Sequence, residues 1–267
     1  MPTTHVYKTE GIVLRHTNFG EADRILTLVT PHSGKLRAIA KGSRKVTSRL
    51  AGIADLLTRT QFVLASGRDL DIVTQGETME RFDNLRISLW HGTAGYAVAE
   101  ALDRAIEDRS ESVRVYTLGL ETLRRLDADA AAWLANPVPE NQAGPMTRGW
   151  AALRYFDLRL LDELGYRPSF QTCASCEMEL QAIEENSFNA ELGGALCPNC
   201  ARYSQRRLAL LPLKVLRLVQ RTPWKDLPVM RLDARTRDDV EAVVQSLLAL
   251  HLDRTLRSWN LLHQQPH

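Results

Sequence analysis

The chain has 267 residues, with 34 lysines and arginines against 32 aspartates and glutamates, so its net charge is only +2. This length is enough for more than one domain, and the nearly neutral total gives no argument for a nucleic-acid partner. The amino-terminal residues MPTTHVYKTE contain no apolar stretch, and no later run is long enough to span a bilayer. We therefore expect no secretory signal, no membrane partner and a cytoplasmic location.

The first eighty residues have the pattern of short β-strands. Five apolar or alternating runs are separated by Gly, Pro, Asn, Ser and Asp, and they cover residues 6–20, 22–30, 34–42, 59–67 and 69–79. Five strands in about eighty residues are typical of a small barrel. We predict an OB-type β-barrel over residues 1–80, as the amino-terminal domain of a multi-domain α+β protein.

One segment of this barrel is strongly basic, because no acidic residue occurs between Arg24 and Asp55. The six cations of this basic segment are Lys35, Arg37, Lys41, Arg44, Lys45 and Arg49. Strand alternation places its first three cations opposite the apolar residues Leu36, Ala38 and Ala40. A cationic barrel surface is a reasonable phosphate track for DNA or RNA. The alternative is a solvated edge strand that lysines protect from pairing, and charge alone does not decide between the two.

After Phe82 the apolar residues recur at the period of a helix, and two helical parts are predicted. The first covers residues 81–168, and its elements are a helix at 82–106, a helix at about 111–126, a loop at 135–146, and a helix after Thr147 that stops at Gly165. The apolar stripe of its first helix comprises Leu85, Leu89, Tyr96, Ala99, Leu102 and Ile106. The second part covers residues 205–267, with helices that begin near Pro212 and after a Thr236 cap.

Between the helical parts lie the four cysteines of the chain, in two C-x2-C pairs: Cys173 with Cys176, and Cys197 with Cys200. Two such turns place four thiolates around one ion, and four sulfurs in a tetrahedron suit zinc. Because no ligand position is left for water, we predict one structural Zn²⁺ in an inserted element at 169–204. Two disulfides would need a secreted protein, and a thioredoxin-like site needs only one pair. Glycine often follows the second cysteine of such a turn, where this chain has Glu177 and Ala201.

The sequence contains no P-loop, no G-x-G-x-x-G, no G-x-S-x-G and no H-E-x-x-H motif. Asp238, Asp239 and Glu241 are a conceivable metal cluster for a nuclease. Carboxylates in the first turn of a helix also stabilise its dipole, and we favour that interpretation. We therefore expect a protein that is not an enzyme.

Three stretches resemble the RecO family of bacterial recombination-repair proteins. They are YKTEGIVL (7–14) with GEADRILTLVT (20–30), GKLRAIAKGSRKVTSRL (34–50), and ELGYRP (163–168) leading into the cysteine pairs. In order and spacing the resemblance covers nearly the whole chain. It implies an amino-terminal OB barrel, a helical body and, as in many members, a zinc element.

The resemblance also implies a function. Members of the family bind single- and double-stranded DNA, anneal complementary strands, and act with RecR to load RecA onto single strands coated by the single-strand-binding protein SSB. The basic strand and loop of the family correspond to the basic segment. We therefore predict a non-catalytic, nucleoid-associated recombination mediator. A zinc-bearing RNA-binding or transcription module and a metal-dependent nuclease are the alternatives.

The family contact with the acidic-hydrophobic tail of SSB suggests one more segment. The run RRLALLPLKVLRLVQR at 206–221 alternates basic and apolar residues and includes Lys214 and Arg217. It is compatible with a docking site for that tail, and at least equally with an ordinary amphipathic helix.

Overall fold

The computed structural model describes residues 5–135, 148–252 and 256–263, which belong to two compact units, Met1–Asp127 and Ala128–His267. All but the first residue of the loop predicted at 135–146 lies outside the described residues. The division of the chain into segments 1–80, 81–168, 169–204 and 205–267 stays a prediction.

The first unit contains a closed five-stranded barrel. Its strands are β1 (Val6–Phe19), β2 (Asp23–Thr30), β3 (Gly34–Ala40), β4 (Arg59–Ala65) and β5 (Asp71–Glu80). They are joined in the order β1-β2-β3-β5-β4, and β3 with β5 is the parallel pair. Each strand lies on one of the five predicted runs, so the OB-type barrel is confirmed.

Alternation along the strands builds the interior of the barrel. Its core includes Val13, Leu26, Leu28, Leu36, Ala38, Ala40, Phe62, Leu64 and Val73. The predicted inward face of β3 is thus confirmed, and the side chains of Arg37 and Lys41 are exposed on the other side. Gly34, with φ +55°, makes the turn before β3. A Cβ at this glycine would lie 2.1 Å from the Ser110 carbonyl oxygen, so only glycine fits there.

Two helices complete the first unit, α1 (Leu89–Ala105) and the first part of α2 (Val113–Ala135). The predicted starts at 82 and about 111 were too early, since a separate 3₁₀ turn occupies Asp83–Arg86, and the predicted end of the second helix at 126 was too early as well. Helix α1 packs on β1 and β2. Its buried side is made of small residues, among them Ala94, Ala97, Val98 and Ala101. Of the six residues of the predicted stripe, Leu85, Ala99, Leu102 and Ile106 are buried as predicted, whereas Leu89 and Tyr96 are 75% and 46% exposed. Small residues let the helix approach the sheet closely, and hydrophobic size alone did not reveal that.

The second unit contains α3 (Arg148–Glu163), the small sheet of β6 (Ser187–Asn189), β7 (Gly194–Leu196) and β8 (Arg206–Arg207), then α4 (Leu210–Arg221), α5 (Ala234–His251) and α6 (Arg257–His263). The stop after α3 is confirmed, since Gly165 has φ +84° and donates its N–H to the Asp162 carbonyl. The cap predicted for α5 was wrong. Asp233 caps this helix by accepting the Thr236 N–H at 2.7 Å.

A buried ionic cluster connects α3 with α5 in the second unit. Arg154 lies 3.1 Å from the Asp157 carboxylate and 3.5 Å from that of Glu241, and its guanidinium lies over the Trp259 ring. Glu241 also accepts a hydrogen bond from the Trp150 indole. Burial raises the pKa of Asp157 most, Arg154 lowers it and Glu241 raises it, and together they bring this pKa to about 7. The Arg154 guanidinium is therefore shared by the carboxyl groups of Asp157 and Glu241 in a site away from water.

This cluster predicts that the second unit loses stability as the pH rises from about 4 to about 7. In that window the folded protein keeps a proton on Asp157 that the unfolded chain has released, so raising the pH penalises the folded state by about 4 kcal/mol in total. Asp157→Asn should remove this slope. Urea denaturation followed by tryptophan fluorescence at several pH values measures it, with Asp238→Asn as the exposed control. Equal slopes in the wild type and in Asp157→Asn would refute the assignment.

Candidate metal centre and nucleic-acid interface

The structure brings the four predicted cysteine ligands together. The Sγ atoms of Cys173, Cys176, Cys197 and Cys200 all lie within 4.8 Å of one another, and those of Cys176 and Cys197 are 3.8 Å apart. A tetrahedron with Zn–S bonds of about 2.3 Å has sulfurs separated by about 3.8 Å. None of the four cysteines forms a disulfide. The tetrad can therefore bind a metal ion, as the spacing predicted.

Local backbone geometry forms both cysteine turns. In the first turn, Cys173 donates its N–H to the Met178 carbonyl, and Glu177 donates its N–H to the Cys173 carbonyl. Glu177 has φ +62°, the left-handed conformation that favours glycine, which explains why glycine is frequent at this place in such turns. In the second turn a 3₁₀ helix at Pro198–Tyr203 begins directly after Cys197.

The charges of the tetrad favour a cation. Burial raises the pKa of the Cys173 thiol, but three backbone N–H groups, from Cys197, Cys176 and Ser175, outweigh burial and lower that pKa to about 6. For Cys176 the Met178 N–H lowers the pKa, whereas sharing hydrogens with the other thiols raises it to about 12. One thiol of the tetrad thus loses its proton readily, whereas loss of a second proton is unfavourable. A soft divalent cation among the sulfurs would favour the further thiolates.

Helix α4 holds the strands and loops around the tetrad in place. The Arg217 guanidinium donates to the carbonyls of Phe170 and Leu180 at 2.7 and 2.8 Å, and the Gln220 amide donates to the Pro168 carbonyl at 2.8 Å. Arg217 is therefore committed to the cysteine element, whereas Lys214 is exposed. This geometry favours the amphipathic-helix interpretation of residues 206–221.

The basic segment lies on the first unit, and its six cations are not equivalent. The Lys35 ammonium donates to the Asp103 carbonyl at 2.7 Å and lies 3.6 and 3.7 Å from the carboxylates of Asp103 and Asp108. Arg44 is exposed and donates to the carbonyls of Gly20 and Glu21. The remaining four, which are exposed and form no ion pair within the described part of the chain, are Arg37, Lys41, Lys45 and Arg49.

The loop after β3 is folded against the turn between β1 and β2. The Gly42 N–H donates to the Asp23 carboxylate at 2.7 Å, and the Arg44 N–H donates to the Ala22 carbonyl at 2.9 Å. These contacts hold Lys41 and Lys45 beside the end of β1. A segment that reads as a loop in the sequence is therefore a defined cationic surface.

Sequence reasoning missed Arg15, which the strand register places on the same surface. Arg15 is opposite Thr27 on β2, and Thr27 is opposite Arg37 on β3. The three residues form one row across three strands, with the two arginines about 10 Å apart. Arg15 is exposed and lies 3.8 Å from the Asp103 carboxylate. Strict alternation would place Arg15 on the same face as Val13, which lies in the core, but a register shift between these two residues sets Arg15 opposite Thr27 on the outward face.

Among residues 5–135, 148–252 and 256–263, the cysteine tetrad is the one group of three or more Cys, His, Asp or Glu side chains placed to hold a metal. Asp238, Asp239 and Glu241 do not form such a group, and Glu241 faces Arg154. In the same described ranges, no helix has the length and apolar character needed to cross a membrane.

The fold and the site define an OB-barrel protein with a helical body and a four-cysteine metal element. Residues 3–82 match the family model "Recombination protein O N terminal", and residues 91–260 match "Recombination protein O C terminal". The chain is 40% identical to the DNA repair protein RecO of Roseiflexus sp. (strain RS-1), over 95% of this chain and 83% of that protein. Its identity to the DNA repair protein RecO of Desulforudis audaxviator (strain MP104C) is 33%, over 97% of this chain and 96% of the relative. The chain therefore belongs to the RecO family of DNA repair proteins.

Proposed function

We propose that this protein is a DNA-binding recombination mediator that binds single- and double-stranded DNA, anneals complementary strands, and helps RecR to load RecA onto SSB-coated single strands. The observation that supports it best is the exposed basic segment on the OB barrel, most of whose cations have no acidic partner within the described ranges. Membership of the RecO family supports the repair role. We propose that the protein acts in the cytoplasm, at the nucleoid.

The chemistry of DNA binding would be phosphate contact. Arg37, Lys41, Arg44, Lys45 and Arg49 form the proposed contact set, and Lys35 contributes less because Asp103 and Asp108 neutralise it. Lysine and arginine contact the backbone, release counterions and leave the base edges free. A cationic surface that holds two strands lowers their mutual repulsion, and the free base edges can then pair. Annealing therefore needs no catalytic group, and the protein we propose is not an enzyme.

We infer that the cysteine tetrad holds one structural Zn²⁺. Four sulfur donors at tetrahedral separations fit this ion and leave no position for a reactive water. When bound, the ion would join the two cysteine turns and add to the stability of the surrounding segment.

The proposed protein partners are RecR, the SSB tail and, through them, the RecA-loading assembly. These proposals rest on family membership. For the SSB tail, Lys214 is a candidate contact because it is exposed, whereas Arg217 already binds the carbonyls of Phe170 and Leu180.

A strand-annealing assay on SSB-coated DNA tests the proposed function. Two complementary oligonucleotides carrying a fluorophore and a quencher are coated with SSB, and the protein is added with and without RecR. We expect pairing to be faster than with SSB alone. Binding that prefers one base sequence or RNA, without annealing, would favour a transcription or RNA-binding module. Metal-dependent shortening of the labelled strands would favour a nuclease.

A further inference from the structure

Helix α1 covers only part of the outer face of β1, β2 and β3. Ile12 and Val29 point outward from the barrel but are fully buried, where α1 packs on β1 and β2. Farther along the outer face Thr27 is still buried, Ile25 and Ile39 are half-buried, and Thr17 and Phe19 are exposed. We call this area the open barrel face. It comprises the row Thr17, Ile25 and Ile39 and the pair Phe19 and Asp23, and Lys41 follows directly after β3.

We propose that Phe19, with Ile25 and Ile39 beside it, forms a docking site for one unpaired base of a DNA single strand. This inference rests on the proposed function, because it assigns a second kind of contact to the same surface. The cations of the basic segment would bind phosphates, and Phe19 would stack on a base.

The strand register shows which apolar residues lie next to Phe19. Thr17 is opposite Ile25, and Ile25 is opposite Ile39, while Phe19 is opposite Asp23 in the next outward row. Adjacent outward rows are separated by about 7 Å, so Ile25 is the diagonal neighbour of Phe19, at a distance that an aromatic side chain can span. Ile39 extends the apolar surface from Ile25 onto the next strand. The Phe19 side chain is 52% exposed, and its ring contacts no other aromatic ring within the described ranges. Single exposed apolar residues are common, but here an exposed ring continues an apolar row.

Charge at the rim of the site favours an anionic strand. Lys41 and Arg44 lie on the loop that folds against the β1–β2 turn, and Arg37 lies on β3 two residues from Ile39. Two acidic residues are nearby, Glu21 and Asp23. Asp23 is engaged by the Gly42 N–H, and Glu21 lies at the exposed turn. The rim therefore has three basic and two acidic side chains. A single strand of DNA that extends along it can form phosphate contacts beside the Phe19 ring.

This arrangement distinguishes single strands from duplex DNA. In a duplex both faces of every base are stacked inside the helix, so Phe19 has nothing to stack on. An unpaired base offers a free face, and base–aromatic stacking tolerates any sequence. Phe19 should therefore add to single-strand affinity only, while the basic segment contributes to both.

Phe19→Ala tests this site. Binding of the full chain to an oligo-dT strand and to a duplex of equal length is measured by fluorescence anisotropy over a salt series. We expect Phe19→Ala to weaken single-strand binding by about fivefold or more and to change duplex binding by less than about twofold. The salt slope should stay the same, because no phosphate contact is lost. Phe19→Trp should restore single-strand affinity. Val6→Ala removes an exposed apolar side chain at the start of β1, which pairs with β4, and serves as the control.

The outcomes separate this inference from the proposed function. Unchanged single-strand affinity in Phe19→Ala, with DNA binding by the wild type intact, overturns the base-docking site and leaves the function standing. Equal weakening for both DNA forms, or failure of Phe19→Trp to restore binding, also overturns it. If the wild type binds neither DNA form, the proposed function fails as well. Circular dichroism of each variant confirms that the barrel is folded.

Discussion

Replacing Cys197 with serine is expected to release the bound metal and to unfold the segment from about residue 170 to about residue 203. The Cys197 sulfur lies 3.8 Å from that of Cys176, so its loss opens the tetrad at the junction of the two turns. Structural zinc contributes about 10–16 kcal/mol in small peptides at neutral pH, which is large beside the hydrogen bonds that Arg217 and Gln220 donate to this segment. Metal analysis by mass spectrometry and limited proteolysis measure the two effects.

Met178→Ser is the matched control, because it introduces the same residue at an exposed position within the element. It should keep the metal and the resistance to protease. DNA affinity in Cys197→Ser should fall less than stability, because Cys197 and the basic segment belong to different compact units. Less than about half an equivalent of zinc in wild-type protein purified without chelators would refute the zinc assignment.

Replacing Lys41 and Lys45 together with alanine is expected to flatten the salt dependence of DNA binding. If the five residues of the proposed contact set engage one single strand, the slope of log K against log salt should be roughly −3 to −4. Losing two contacts should flatten that slope by about 1.4, and by about 1.8 on duplex DNA. At 0.1 M salt the single-strand affinity should fall about 20-fold, equally for all sequences. We choose these lysines because Arg44 also donates to the carbonyls of Gly20 and Glu21, so its loss would disturb the loop.

Lys8→Ala with Arg68→Ala removes the same charge from the barrel. Both residues are exposed, Lys8 on the part of β1 that pairs with β4 and Arg68 after β4. If this control pair changes the slope as much as the lysine pair does, net charge rather than the basic segment governs binding. An unchanged slope in the lysine variant would remove these residues from the DNA site.

The fold was largely predictable because its local signals are strong. The barrel strands alternate with period two and are separated by turn residues, which leaves little room for another interpretation. Helix boundaries were less predictable, since Asp233 and Thr236 are both good caps and only the backbone shows which one accepts the hydrogen bond. The face of α1 was predicted only in part, because Leu102 and Ile106 are buried as expected, but the helix also packs through alanines and leaves Leu89 and Tyr96 exposed.

The cysteine tetrad and the basic surface also differ in how far the sequence alone predicts them. Sequence spacing alone indicated the cysteine tetrad, since both pairs are local turns. The basic segment was visible as a run of cations, but the neutralisation of Lys35 depends on Asp103 and Asp108, about seventy residues away in sequence. Arg15 and Phe19 join the surface through strand register, and a register cannot be read from a single strand.

The role of the basic segment in strand pairing is measured most directly by the rate at which the protein anneals two complementary oligonucleotides. The wild type, the Lys41→Ala/Lys45→Ala variant and the Lys8→Ala/Arg68→Ala control are compared. We expect the wild type and the control to accelerate pairing well above the protein-free rate. The lysine variant should lose most of that acceleration while keeping its fold and its metal. A wild-type rate equal to the protein-free rate, or an unchanged rate in the lysine variant, would contradict the claim that the basic segment of the barrel holds DNA strands for pairing.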